Sequence, residues 1–210
     1  MRVFVAGATG AIGRRLVPQL VEAGHQVTAI TRSKEKLGML GDLGAEAVVC
    51  DVFDAGRLGS VVARAEPDAV INQLTDLPQS LNPRKLKQYY AANNRVRREG
   101  TMNLLEANRG AGVRRFLAQG SAYWYAPTGG PVKTEEAPLY LDAPPPIGPA
   151  VQTIKEVEES VLTTDGIEGI VLRYGMFYGP RTWYAKDGEV GRQVRKRRYP
   201  MIGSGEGTYS

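Results

Sequence analysis

The period of the apolar positions changes twice within the first thirty residues. Residues 3–6 are an unbroken apolar run, the pattern of a short strand covered on both faces. Residues 7–13 are a glycine turn, after which Leu16, Val17, Leu20 and Val21 recur at helical spacing over 14–23. Pro18 lies inside that helix and should remove one backbone bond, giving a slight bend. Gly24 ends it. The same alternation continues: strands are predicted over 26–30, 45–50, 68–74, 115–119 and 169–173, and helices over 56–65, 83–109 and 151–162. The 83–109 helix is predicted with a break near Asn93-Asn94. Strands that alternate with helices predict an α/β fold with a doubly wound parallel sheet, whose ligands sit at the carboxyl ends of the strands. There is no internal repeat.

The glycine turn carries the first chemistry. Gly7, Gly10 and Gly13 stand at the spacing G-x-x-G-x-x-G, directly after a strand and before an amphipathic helix. A first glycine lets the chain turn off the strand, a second lets backbone approach a pyrophosphate, and a third lets helix and strand pack closely. The helix N-terminus then offers free N–H groups and the positive end of its dipole. This context predicts a dinucleotide site in which Gly7, Thr9, Gly10, Ala11, Ile12 and Gly13 hold the pyrophosphate. The plain alternative is a tight strand–helix turn with no ligand.

About twenty residues beyond such glycines, the end of the second strand selects the cofactor. A carboxylate there would accept from a ribose 2′-hydroxyl and favour NAD. The sequence has no Asp or Glu between Gly24 and Lys34 and offers Thr31, Arg32, Ser33 and Lys34. These suit a 2′-phosphate and predict NADP, with NAD the lesser alternative. Asp51, at the end of the third strand, either bonds the adenine edge or caps the following turn.

Charge and composition narrow the picture further. The net charge is +5, but residues 191–210 alone carry +4 through Arg192, Arg195, Lys196, Arg197 and Arg198 against Glu206. A nucleic-acid surface is therefore disfavoured over a solvated helix face with cations near its C-terminus. Arg95, Arg97 and Arg98 are accompanied by Glu99 and Glu106 and read as another solvated face. Cys50 is the sole cysteine, which leaves no intramolecular disulfide and no cysteine metal site. His25 is the sole histidine, so Ser-His-Asp chemistry is excluded except through it, and it reads as a turn residue opposite the ligand end. No apolar run reaches the roughly 18 residues of a membrane span, and no signal-peptide pattern opens the chain. A cytoplasmic location is expected. Residues 123–149 are rich in proline and aromatic side chains and form either a lid or a surface insertion.

With these residues placed, the chain resembles the extended or atypical short-chain dehydrogenase/reductases, the NAD(P)-dependent epimerase/dehydratase group. The resemblance rests on the glycine turn, on Asn94 with the run 100–106, on Ser121 to Tyr125, and on the run 172–180, Leu-Arg-Tyr-Gly-Met-Phe-Tyr-Gly-Pro. It implies a Rossmann-type domain over 1–175 and the start of a small substrate lobe over 176–210. It also implies hydride transfer between nicotinamide and a small-molecule carbonyl or hydroxyl. Asp51 and Val52 would meet the adenine, and Leu74 and Thr75 the ribose side. Tyr174, Gly175 and Phe177 would pass the nicotinamide, and Ser121 would meet the substrate. Lys155 matches the lysine of the family's Tyr-x-x-x-Lys pair, but Val151 stands at the tyrosine. Three explanations stay open: a tyrosine of the 123–149 segment (Tyr123, Tyr125 or Tyr140) replaces it, catalysis has been lost and the chain is an NADP(H) sensor, or the reaction needs no strong general acid. A homodimer is left open. Family members continue well past the equivalent of the glycine turn at 203–207, so ending at Ser210 suggests a fragment.

Overall fold

Strand β1 (Arg2–Ala6) lies mid-sheet because both of its faces are apolar. Val3 and Val5 enter one core layer, with Val17, Val27, Ala29 and Leu40. Phe4 and Ala6 enter the other, with Leu58, Val62, Val70, Leu104 and Phe116. Alternate side chains of a strand point to opposite faces, so β1 ties the two layers together. The structure is a computed structural model that describes residues 1–78, 82–180 and 182–199.

The remaining strands are β2 (Gln26–Thr31), β3 (Glu46–Val49), β4 (Ala69–Asn72), β5 (Arg115–Ser121) and β6 (Glu168–Tyr174). They form one parallel sheet in the order β3-β2-β1-β4-β5-β6. Helices α1 (Gly13–Glu22) and α2 (Leu37–Asp42) cover one face; α3 (Ala55–Ala65), α4 (Leu86–Gly110) and α5 (Ile147–Thr163) cover the other. A short α6 (Glu189–Arg195) follows. Strand order reverses between β1 and β4, which opens a crevice at their carboxyl ends. Among the described residues no helix is long and apolar enough to cross a membrane.

α1 continues through Pro18, as the sequence predicts. Other local expectations change. α4 is unbroken at Asn93-Asn94; instead Asn93 Oδ1 accepts from Asp76 N at 2.9 Å, tying the helix to the loop after β4. α2 was not foreseen; it forms because Leu40 is fully buried against β1 and β2. α5 begins four residues before the expected start at 151. The 123–149 segment is partly ordered by its own backbone: Tyr140 N donates to Trp124 O and Ala126 N to Pro138 O, both at 2.8 Å. The basic run 192–198 is not one helix, since α6 ends at Arg195 and Arg197 has φ +52. The glycine turn expected at 203–207 lies outside the described residues.

Candidate functional site

A cleft of about 1590 Å³ runs along the carboxyl ends of the strands. Its floor begins at the glycine turn. Gly7 has φ +85, and a Cβ there would lie 2.4 Å from the backbone C and O of Gln73. A Cβ on Gly13 would lie 2.5 Å from Ala8 Cα and Gly7 O. Those two glycines are therefore demanded by packing between β1, β4 and α1. Gly10 differs: its Cβ would meet only Gly7 O, at 3.3 Å. Arg14 Nε donates to Thr9 O at 2.7 Å and holds the turn closed. Gly7, Thr9, Gly10 and Ala11 face the cleft, while Ile12 and Gly13 form the helix start behind them. No side chain caps α1 and no acidic residue stands in its first turn. Arg14 N and Arg15 N donate to Gly10 O and Ile12 O, which leaves the N–H groups of Ile12 and Gly13 and the positive end of the dipole for an anion. The turn fits a pyrophosphate.

At the end of β2, Arg32 faces the cleft and pairs with Asp76 at 3.5 Å. Both side chains are well exposed, so this pair contributes at most about 1 kcal/mol. Ser33 hydroxyl donates to Glu35, and Ser33 N donates to Thr31 Oγ1 at 3.2 Å. Ser33 and Lys34 are not among the residues that face the cleft; Lys36 is. Asp51 and Val52 face it, and Asp51 Oδ1 also accepts from Phe53 N at 3.0 Å, so this carboxylate shapes its own turn. Leu74 and Thr75 line the middle of the cleft. Tyr174, Gly175 and Phe177 line its far end, with the Tyr174 and Phe177 rings edge to face at 5.3 Å. Ser121 faces the cleft from the end of β5.

Lys155 does not join them. Its ammonium pairs with Glu159 at 3.4 Å, 42% exposed, and it is not among the residues facing the cleft. Val151 is fully buried in the core. The α5 residues that do face the cleft are Ala150 and Ile154, one position earlier, again four apart. Adjacent helical residues differ in direction by about 100°, so this one-residue offset separates cleft from solvent. α5 thus presents neither a phenol nor an amine to the site. Phenols come from elsewhere: Tyr90 and Tyr123 both line the cleft, whereas Tyr125 sits over Arg173, its ring 5.2 Å from the guanidinium. Burial, with Tyr123 nearby, pushes the Tyr90 pKa up and keeps that phenol protonated.

Sequence reasoning missed a set of polar cleft residues. Arg95 and Arg98 are solvated as expected, paired with Glu99 at 2.9 Å and Glu156 at 2.7 Å. Arg97 turns inward and is only 9% exposed. The signal was present: Arg97, Thr101, Leu104 and Asn108 follow helical spacing, and all four are buried. Gln73, Asn94 and Gln119 also line the cleft, each with a buried side-chain oxygen that has no partner among the described residues.

Comparison with known proteins agrees with this geometry. A 3-diazoavenalumate denitrifying reductase of a Streptomyces species is 42% identical over 211 positions, covering 100% of this chain and 67% of the reductase. Two solved structures share the fold at lower identity. A UDP-glucose 4-epimerase of Thermotoga maritima with UDP-glucose matches 98% of this chain and 67% of its own, with TM-score 0.76 and 22% identity. The Bordetella bronchiseptica enzyme WbmG in complex with NAD and UDP matches 96% of this chain and 61% of its own, with TM-score 0.71 and 20% identity. The chain therefore spans about two thirds of the length of these relatives. The model of the NAD dependent epimerase/dehydratase family matches residues 3–202, and the chain belongs to that family.

Proposed function

We propose that this chain binds NADP(H) along the cleft and reduces a small molecule held beside it, the substrate class being an aryl diazo compound. The observation that carries the reading is the uncapped, glycine-walled N-terminus of α1 at the β1–β4 switch point. The whole-length likeness to a reductase that acts on a diazo compound supplies the substrate class.

Gly7, Thr9, Gly10 and Ala11, with the N–H groups of Ile12 and Gly13, would hold the pyrophosphate. Arg32 would take the 2′-phosphate with Lys36 beside it, in place of Ser33 and Lys34. Asp51 and Val52 would meet the adenine, Leu74 and Thr75 the ribose, and Tyr174, Gly175 and Phe177 the nicotinamide. Residues 1–175 would carry these contacts, and those beyond would begin the substrate lobe. Lys155 has no part in the site, and Ser121 would contact the substrate.

The residues of the cleft would hold reduced cofactor as a source of hydride; a hydride added to the terminal nitrogen of an aryl diazonium would give an aryl diazene, which would release N2 and keep that hydrogen on the ring. The electrophile is already cationic, so this reduction needs no proton from the protein. The apolar pair Ala150 and Ile154 is compatible with that chemistry. For a carbonyl substrate, their lack of an acid would cost a factor of about 10²–10⁴. The sensor reading is the weaker one, because a relative similar over the full chain is named a reductase.

Thermal shift with NADPH and NADH tests the cofactor. A ligand at 100 times its Kd stabilises by about 2.7 kcal/mol, a shift of a few degrees for a chain of this size. NADPH is expected to give the larger shift. Arg32→Ala should weaken NADPH about tenfold and leave NADH unchanged, as for loss of one charge-assisted contact. Asp76→Asn frees Arg32 and should strengthen NADPH. A larger shift with NADH would overturn the assignment to Arg32. Oxidation of NADPH with a benzenediazonium salt, and its absence with benzaldehyde, tests the substrate class.

A further inference from the structure

Arg97 is a buried charge to which the fold supplies no counter-charge. It is only 9% exposed and lies on the inward stripe of α4. Its Nη1 donates to Gln119 O at 3.3 Å, and no carboxylate pairs with it among the described residues. Burial pushes its pKa down to about 10, which leaves the guanidinium charged at neutral pH. A guanidinium has five N–H donors, and a buried, unpaired cation is among the costlier arrangements a fold can hold. Arg173, the other arginine packed into this half of the fold, is matched by Glu158 at 2.6 Å.

The surroundings of Arg97 point to a ligand. Asn94 stands one helical turn earlier on the same face, and Gln119 follows on β5. Both face the cleft with a carboxamide whose buried oxygen has no partner, and turned end for end each gives N–H donors to an anion. β5 is two strands from β1, so this cluster sits about 10 Å across the sheet from the glycine turn. The pyrophosphate is therefore not its occupant. Opposite, α5 offers only Ala150 and Ile154, while Tyr90 and Trp124 supply aromatic walls.

We propose that Arg97 anchors a carboxylate carried by a flat, conjugated substrate, whose body lies between the aromatic walls and the apolar face of α5. A planar fork of N–H donors matches the two oxygens of a carboxylate, and Ile154 and Ala150 leave room for an uncharged ring or chain. The inference rests on reading the cleft as a cofactor and substrate site. It explains why the fold keeps a cation there: bound substrate completes the pair.

Cinnamate and cinnamamide, alike in shape and different in charge, are the probes. Trp124 and Trp183 line the cleft and report binding by fluorescence in the chain saturated with NADP⁺. Cinnamate is expected to bind at least about tenfold more tightly than the amide, the scale of a hydrogen bond to a charged group. Arg97→Gln should bring that ratio close to one, and Arg97→Lys should restore part of it. The NADPH thermal shift should stay as in the parent chain. A cation whose pKa is lowered in the folded state binds its proton less well there than in the unfolded state, so its charge costs stability below that pKa. Arg97→Met should accordingly melt at the same temperature as the parent or higher. The proposal is overturned if the parent chain shows no preference for cinnamate, or if the preference survives Arg97→Gln. It is also overturned if both the Gln and Met variants melt lower, which would make Arg97 structural, or if the NADPH shift disappears with the preference, which would make it a cofactor contact. Absence of an NADPH shift in the parent chain would instead strike at the cofactor reading itself.

Discussion

Gly7→Ala should remove a large share of the stability of this domain. Two costs add. The residue has φ +85, a region that costs an L side chain roughly 1–2 kcal/mol. The new Cβ would also lie 2.4 Å from the carbonyl carbon and oxygen of Gln73, which are backbone atoms of the loop leaving β4. Backbone at a strand end cannot swing aside as a side chain can, and overpacking costs typically 1–3 kcal/mol. A combined loss of about 2–5 kcal/mol is a large share of the 5–15 kcal/mol that holds a domain together. Gly10→Ala is the contrast. Its Cβ would meet only one oxygen, at 3.3 Å, and Gly10 faces the cleft. The chain should then unfold in urea close to the parent midpoint while its NADPH shift disappears. If Gly10→Ala binds NADPH normally, the turn is only a structural corner. If Gly7→Ala unfolds with the parent, the close approach to Gln73 is not what holds β1 against β4.

Glu158→Ala should cost nearly as much, for an electrostatic reason. Glu158 on α5 is 7% exposed at its side chain and receives Arg173 Nη2 at 2.6 Å and Nε at 3.0 Å. Arg173 on β6 also donates to Glu135 O at 2.8 Å and to Tyr125 Oη at 3.2 Å. Its hydrogen bonds to Glu158 hold the Arg173 pKa above the ordinary arginine value. One guanidinium thus joins a helix, an edge strand and the 123–149 segment. Removing its partner leaves a largely buried charge uncompensated, at about 3–5 kcal/mol. The Arg115–Glu168 pair is nearly as short, at 2.8 Å, but lies exposed on neighbouring strands. Glu168→Ala should cost less than about 1 kcal/mol. Urea midpoints of the two variants check the contrast; equal losses would mean that burial does not decide the strength of these pairs.

The frame was legible where local chemistry and tertiary demand agree. Glycines at 7 and 13 announce a turn because their neighbours need the space, and the apolar run at 3–6 announces a strand sealed on both faces. α2 was hidden because Gly38, Gly41 and Gly44 stand around Leu40 and weaken a helix locally, so burial against the sheet makes it helical. Arg97 was hidden by its exposed neighbours Arg95 and Arg98, which carry the same charge and face outward. Lys155 turns away from the cleft for a rotational reason. Likeness of sequence located the helix, but only the packing of Val151 and Ile154 decides which way residue 155 turns.

The cleft is assembled from stretches remote in the chain, and this sets when it can appear. β1 finds its partners in β2 and in β4, with Val3 opposite Ala69, while Gln119 arrives only with β5. Parallel neighbours cannot be joined by a tight hairpin, so each pairing waits on closure of a long loop. Such topologies fold slowly, and here the nucleotide has nothing to grip until the central strands have met. Its arrival then works as a late clasp, locking an order of assembly that it took no part in starting.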